Sequence, residues 1–164
     1  MLIQLKNKDT LIVNDFKFRC CIGKNGIKKN KIEGDKCTPS GVFGIGKLYF
    51  REDRIKKIYH TNLKTEAIKS NMGWCNDPKS KFYNHKIKIA KGIKHEKLFR
   101  KDHKYNCLLV INYNIKKTVA YKGSAIFLHL TKDYKSTAGC IAIKEKDFNI
   151  MLKLINNKTK IKIS

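Results

Sequence analysis

Proline, arginine and acidic side chains are scarce in this chain of 164 residues. Two prolines, Pro39 and Pro78, and one tryptophan, Trp74, occur in the whole sequence. Arg19, Arg51, Arg54 and Arg100 are the only arginines among 37 basic residues, set against 13 acids. Specific nucleic-acid binders rely on arginine forks and clustered basic segments, and here lysines are scattered throughout, so a nucleic-acid partner is disfavoured. No apolar run is long enough to span a bilayer. The first residues, Met1-Leu2-Ile3-Gln4-Leu5, are broken at once by Lys6-Asn7-Lys8-Asp9, so no secretory leader is legible in the chain as it stands. The six cysteines contain no Cys-x-x-Cys pair. His95-Glu96 opens like a zinc-protease helix, but Phe99 stands where the second histidine belongs. A metal centre is therefore not expected. The cysteines read as small buried fillers, and the sequence assigns no disulfide connectivity.

What is abundant is positive charge and apolar residues. The formal net charge is +24 and 41% of residues are hydrophobic. That length and apolar content suit a single domain over residues 1–164 with a real core. The charge favours an anionic partner, an anionic wall polymer included. The joint abundance of Lys, Ile and Asn equally fits a bias of composition without a binding role.

Short apolar or alternating runs at 2–5, 11–13 and 16–22, divided by Asn-Lys-Asp and Asn-Asp, predict strands. Thr38-Pro39-Ser40-Gly41 reads as a hairpin corner leading into a strand over 41–50, or as a rigid corner beside a cleft. Residues 51–69 fit a helical turn or an edge strand. Trp74 beside Asp77-Pro78 is either a core plug or one wall of a ligand pocket. Residues 107–114 predict a buried strand ending in a turn, and 119–130 a strand region interrupted at Gly123-Ser124. Apolar residues at 148, 151, 152 and 155 predict a helix over 145–156. Alternation over 159–163 predicts a closing strand.

The chemistry concentrates in two segments. Ala125-Ile126-Phe127-Leu128-His129-Leu130 ends its apolar run near a histidine. Ser136-Thr137-Ala138-Gly139-Cys140-Ile141-Ala142-Ile143 is a small-residue turn ending on a cysteine, followed by another apolar run. Two such runs around a short loop place His129 and Cys140 at neighbouring strand ends. A thiol nucleophile and its general base need that arrangement. A free thiol is only slightly ionised at neutral pH, and an adjacent imidazole lifts that limit by taking the proton. Gly139 leaves room for a carbonyl, and backbone N–H groups at Gly139 and Cys140 suit an oxyanion. No carboxylate is placed by sequence to orient His129, so a backbone carbonyl is the alternative.

These motifs resemble the L,D-transpeptidase catalytic domain, the YkuD-type family that crosslinks bacterial peptidoglycan. The likeness extends over roughly residues 20–155. It includes Glu33-Gly34-Asp35 with Thr38-Pro39-x-Gly41-x-Phe43, Gly73-Trp74-Cys75-Asn76-Asp77-Pro78 with Tyr83-Asn84, Gly123-Ser124 leading to His129, and Gly139-Cys140-Ile141-Ala142. Better-known members carry an Arg two residues after the cysteine, where this chain has Ala142. The resemblance implies a mostly β fold, a closed barrel or sandwich, with one late helix. It implies Cys140 as nucleophile, His129 as base and acid, and Gly139 as backbone oxyanion support. Ser136, Thr137, Trp74, Asp77 and Tyr83 would contact substrate. It implies peptidoglycan stem peptides as partners, no cofactor, and a place in the bacterial cell envelope or periplasm, with the cytoplasm left open by the absence of a legible leader. The rival from another class is a basic module that binds wall polymer or nucleic acid without catalysis.

Overall fold

The computed structural model describes residues 1–55, 58 and 61–164. Fourteen strands and one helix are found among them. The first three strands are β1 (Leu2–Lys6), β2 (Thr10–Val13) and β3 (Phe16–Cys21). Two short strands, β4 (Ile27–Lys28) and β5 (Thr38–Pro39), pair in parallel. The long strand β6 (Gly41–Phe50) follows the Pro39 corner, and β7 (Thr65–Ala67) lies parallel to its end as an edge. Then come β8 (Met72–Cys75), β9 (Lys86–Lys88) and β10 (His95–Lys97), which form a separate three-stranded sheet with β8 at its centre. The last strands are β11 (Cys107–Ile111), β12 (Phe127–Leu130), β13 (Ile141–Ile143) and β14 (Lys160–Ile163), with helix α1 (Glu145–Leu154) before β14.

Eight strands close into a barrel in the order β11-β12-β13-β3-β2-β1-β14-β6, and the ring shuts because β6 also pairs with β11. Closure removes exposed sheet edges, which a lysine-rich open sheet would otherwise have to protect. Strands with one wet face alternate as expected. Ile161 and Ile163 of β14 point inward while Lys160 and Lys162 are exposed. Leu11 and Val13 of β2 do likewise.

Strands β11, β12 and β13 are buried throughout because both of their faces are covered. Cys107, Leu109, Ile111, Leu128, Leu130, Ile141 and Ile143 point into the barrel. Leu108, Val110 and Phe127 point outward into a second core with Tyr49, Trp74, Leu98, Tyr105 and Cys140. Helix α1 fills the first core with Phe148, Met151 and Leu152. Its acids Glu145 and Asp147 lie in the first turn, where the helix dipole favours them.

The expected strands over 2–22, 41–50, 107–114 and 159–163 are found with small shifts at their ends, and the helix over 145–156 is Glu145–Leu154. The 51–69 stretch contains a turn at 52–54 and the edge strand β7, while residues 56, 57, 59 and 60 lie outside the described residues. One expectation is corrected. Residues 119–126 are not strand, and only Phe127–Leu130 is. Side chains satisfy the backbone of that loop in place of a ladder. Asn114 Nδ2 donates to the carbonyls of Val119 at 3.0 Å and Gly123 at 2.9 Å, and Asn114 Oδ1 accepts from the Val119 N–H at 2.8 Å.

Candidate active site

Strands β12 and β13 run parallel, with Leu128 opposite Ile141 and His129 opposite Ala142. This register sets Cys140 beside Phe127, whose N–H points at the sulfur at 3.4 Å. His129 shares the outward face of β12 with Phe127, two residues away. Both Cys140 and His129 therefore leave the barrel on the side of the second core. They line one cavity of about 390 Å³, together with Glu96, Tyr105, Ser136, Thr137 and Ala142.

His129 is 6% exposed. Its Nδ1 lies 3.0 Å from the Leu130 carbonyl, which can only accept, so Nδ1 carries the proton and Nε2 is free to take one. Burial pulls the imidazole pKa down from 6.5 to about 4; the Leu130 carbonyl opposes that shift, while Lys104 and Arg100 add to it. The ring is thus a neutral base at pH 7. The Cys140 sulfur donates to the Ala125 carbonyl at 3.2 Å. Burial first, and Glu96 second, push its thiol up to about 12, against the Phe127 N–H, Lys31 and Tyr105. The resting pair is a neutral thiol and a neutral imidazole.

This has a consequence for stability. The unfolded histidine binds a proton near pH 6.5 and the folded one only near 4, so the unfolded state holds more protons between those values. Stability from this group is full above pH 6.5 and falls as pH drops towards 4, by about 1.4 kcal/mol per pH unit. Thermal melts at pH 7 and 4.5 should show the drop in the wild type and a flatter dependence in His129→Gln. Glu96, whose carboxyl is pushed up chiefly by burial, works in the opposite direction in both proteins, so the difference isolates His129.

The cysteine loop is held by its own small residues. Thr137 Oγ1 donates to the Cys140 carbonyl at 2.6 Å and accepts from the Gly139 N–H at 3.1 Å. Thr38 Oγ1 donates to the Gly139 carbonyl at 2.9 Å, so the Pro39 corner braces the loop from the other side of the chain. Gly139 has φ +140°, and a Cβ there would lie 2.9 Å from the Cys37 carbonyl oxygen. Ser136 is exposed on the cavity rim.

Three residues expected at the substrate sit elsewhere. Trp74 is buried in the second core, edge-on to Phe127 at 5.1 Å, with Nε1 donating to Asn84 Oδ1 at 2.9 Å. Tyr83 is buried, donates its hydroxyl to Glu33 and accepts from the Gly123 N–H at 2.9 Å. Asp77 caps a turn by accepting from the Lys79 N–H at 3.0 Å. None of the three lines the cavity. Trp74 and Tyr83, together with Asn84, brace residues 123–125 from behind, with Asn84 Oδ1 accepting from both Trp74 Nε1, at 2.9 Å, and the Ala125 N–H, at 3.0 Å. They position the carbonyl that the Cys140 thiol touches.

The residues that sequence reasoning missed are Lys31, Asn76, Glu96 and Tyr105, all on the cavity wall. Lys31 is 3% exposed and bonds Asp35 Oδ1 at 2.6 Å. Burial works against the Asp35 charge, but Lys31 and the N–H groups of Ile32 and Cys37 outweigh it and hold the carboxyl below its usual range. Asn76 Oδ1 is buried with no hydrogen-bond partner among the described residues. Tyr105 donates its hydroxyl to Glu96 Oε1. The signal for the last two was the failed zinc motif at His95-Glu96. Nothing in the local pattern links that carboxylate to Tyr105, nine residues on.

The scarce arginines pin the loops around this cavity. Arg51 is buried, donates to both oxygens of Asp53 at 2.7 and 2.6 Å and to the Arg100 carbonyl at 2.6 Å. Arg54 reaches the carbonyls of Lys101 at 2.9 Å and Asp102 at 2.8 Å. Arg19 stacks over Tyr134, at 4.4 Å, beside the cysteine loop. All six cysteines are free and buried, and no group of three or more metal-ligating side chains occurs among the described residues.

A closed β-barrel that turns a cysteine and a histidine into one external cavity is the class of domain defined by these observations. Residues 2–163 match YkuD, the L,D-transpeptidase catalytic domain, and the chain belongs to that family. Among solved structures it is similar to the helical cell shape determining protein Pgp2 from Campylobacter jejuni, at 16% identity and a TM-score of 0.53, over 99% of this chain and 46% of that one. A mutant of the same Campylobacter jejuni protein gives 15% identity and 0.51, over 99% and 46%. At such identity the likeness is one of fold, and the chain spans less than half the length of these neighbours. No curated protein matches.

Proposed function

We propose that the chain is a cysteine-dependent L,D-transpeptidase that acts on peptidoglycan stem tetrapeptides through a thioester acyl-enzyme. The observation that carries this reading is the shared cavity of Cys140 and His129, with Nδ1 of the imidazole anchored on a carbonyl and Nε2 left as the base. His129 Nε2 takes the thiol proton as the sulfur attacks the amide carbonyl between the third residue and the terminal D-Ala. Because the resting thiol is neutral, proton transfer accompanies attack. Backbone N–H groups at the Gly139–Cys140 turn face the developing oxyanion, and the Cys140 N–H is the better placed, since Gly139 N–H already meets Thr137. The C–N bond breaks, His129 returns the proton to the D-Ala nitrogen, and a thioester remains. An amine then attacks, gives its proton to His129, and the C–S bond breaks as the thiol is restored. Water in the place of the amine makes the reaction a carboxypeptidase one.

Lys36, Lys104 and Lys135 around the cavity suit the free carboxylates of a stem peptide. The unpartnered Asn76 oxygen suits a substrate N–H. Substrate of this kind places the working enzyme in the cell envelope. Incubation with a stem tetrapeptide and a competing amine, followed by mass analysis, is expected to show loss of D-Ala and transfer of the tripeptide to the amine. An unchanged peptide in the presence of folded protein would refute the proposal and favour the basic binding module.

A further inference from the structure

Lys31 is 3% exposed, yet it lines the cavity that holds Cys140 and His129. A buried ammonium is costly unless it is paired. Its partner is Asp35, whose Oδ1 accepts from Lys31 Nζ at 2.6 Å and from the Cys37 N–H at 2.9 Å, while Oδ2 accepts from the Ile32 N–H at 2.9 Å. Asp35 does not line the cavity, so the pair presents its positive end there. Nζ makes a second, longer bond to the Ile32 carbonyl at 3.4 Å. An ammonium has three N–H groups, and the third meets no partner among the described residues.

Two glycines fix where this ammonium sits. A Cβ on Gly123 would stand 2.7 Å from Lys31 Cε and 3.1 Å from Cδ, so the lysine stem fills the space that a side chain there would need. Gly123 is itself held, its N–H donating to the Tyr83 hydroxyl at 2.9 Å. At the far end of the stem, a Cβ on Gly139 would stand 3.6 Å from Lys31 Nζ. The positive charge therefore rests against the turn that carries the Cys140 N–H. That turn is short of donors, because the Gly139 N–H is already bonded to Thr137. Attack with simultaneous proton transfer puts the negative charge on the former carbonyl oxygen. A charged donor stabilises such an oxygen more than a second neutral one would.

We propose that Lys31 is the second oxyanion-stabilising group of this site: its ammonium donates to the negative oxygen of the tetrahedral intermediates beside the Cys140 N–H, and Asp35 holds it in place. The inference rests on the cysteine mechanism proposed above. Lys31 transfers no proton and forms no covalent bond. Its hydrogen bond strengthens as the carbonyl becomes an alkoxide and weakens when the C–N bond breaks and the carbonyl returns. The same cycle recurs when the amine attacks the thioester and the C–S bond breaks. Asp35 is a positioning residue, since it meets the substrate only through Lys31.

Acylation and alkylation of one sulfur separate this role from others. A carbapenem reacts through an oxyanion, whereas iodoacetamide loses iodide from a saturated carbon and develops none. Both reactions are followed by intact mass, with Cys140 identified by peptide mapping. Lys31→Met removes the charge and keeps an unbranched apolar stem. It is expected to lower the maximal acylation rate about a hundredfold with half-saturation unchanged, the size of a lost oxyanion donor. Alkylation is expected to slow far less, because burial, Glu96 and the Phe127 N–H each act on the thiol more strongly than Lys31 does. Lys28→Met removes a lysine 3.9 Å from the other oxygen of Asp35 and off the cavity wall, and is expected to match wild type in both reactions. Equal slowing of acylation and alkylation in Lys31→Met overturns the inference, since the lysine then acts on the sulfur or props the loop. Unchanged acylation overturns it as well. Losing Lys31 leaves Asp35 buried without its cation, which endangers folding. If Lys31→Met does not fold, the double variant with Asp35→Asn removes both charges and carries the same expectations and the same refutations. A wild type that the carbapenem does not acylate overturns this and the proposed function together, whereas an acylated wild type with an indifferent Lys31→Met removes only the inference.

Discussion

Carbapenem treatment is expected to add one adduct to the wild type and none to Cys140→Ala. Six cysteines are present, all buried, but Cys20, Cys21, Cys37, Cys75 and Cys107 do not line the cavity. Cys140 shares its cavity with an imidazole, His129. His129→Ala is expected to keep the adduct but form it about a hundredfold more slowly or worse, the usual contribution of a positioned general base. The effect should be largest near neutral pH and shrink at high pH, where hydroxide removes the thiol proton without the imidazole. An adduct in Cys140→Ala places the chemistry on another residue. Wild-type speed in His129→Ala assigns the base elsewhere.

Gly139→Ala is expected to slow acylation about a hundredfold while the barrel stays folded. The new Cβ would stand 2.9 Å from the Cys37 carbonyl, and φ +140° is strained for any residue with a side chain. The strain is on the order of 1–3 kcal/mol. The backbone at Gly139 relieves it by moving, because Gly139 itself is held by the side chains of Thr38 and Thr137, while the backbone bridge of this loop to Gly23 lies at Thr137. Movement displaces the backbone donors at Gly139–Cys140, and one oxyanion donor is worth about 3 kcal/mol. The melting temperature should fall by a few degrees and the acylation rate by far more. A variant that loses stability and rate in proportion makes Gly139 a folding residue only.

The legible part of the fold was the part with a period. Lys160-Ile161-Lys162-Ile163 alternates because one face of β14 is wet, and Phe148, Met151 and Leu152 recur at helical spacing because α1 has one dry face. Strand β12 was harder. Its neighbours at 119–126 are apolar enough to extend it, yet Asn114 just upstream, and Tyr83 and Glu33 from distant parts of the chain, satisfy that loop. No local pattern records such bonds. The short strands β8, β9 and β10 were likewise invisible, since Lys86–Lys88 and His95–Lys97 are mostly charged and owe their pairing to the sheet around Trp74.

At the site, the neighbouring placement of β12 and β13, which brings His129 and Cys140 to one cavity, was legible because two apolar runs joined by a short loop have few ways to pack. Trp74, Asp77 and Tyr83 looked like substrate contacts, but a rare aromatic beside a turn serves a core and a pocket equally well. Which face it takes depends on what packs behind it.

The sequence by itself determined the short strands, the late helix and the placing of His129 and Cys140 beside neighbouring strands, because periodicity and short loops are local properties. The tertiary structure alone decided the charge states and the neighbours of that pair. Burial keeps the imidazole neutral and the thiol protonated, and Lys31, Glu96 and Tyr105 come to the same cavity from far along the chain. Desolvation and long-range electrostatics depend on what surrounds a group in space, and residue order does not encode that in any local form.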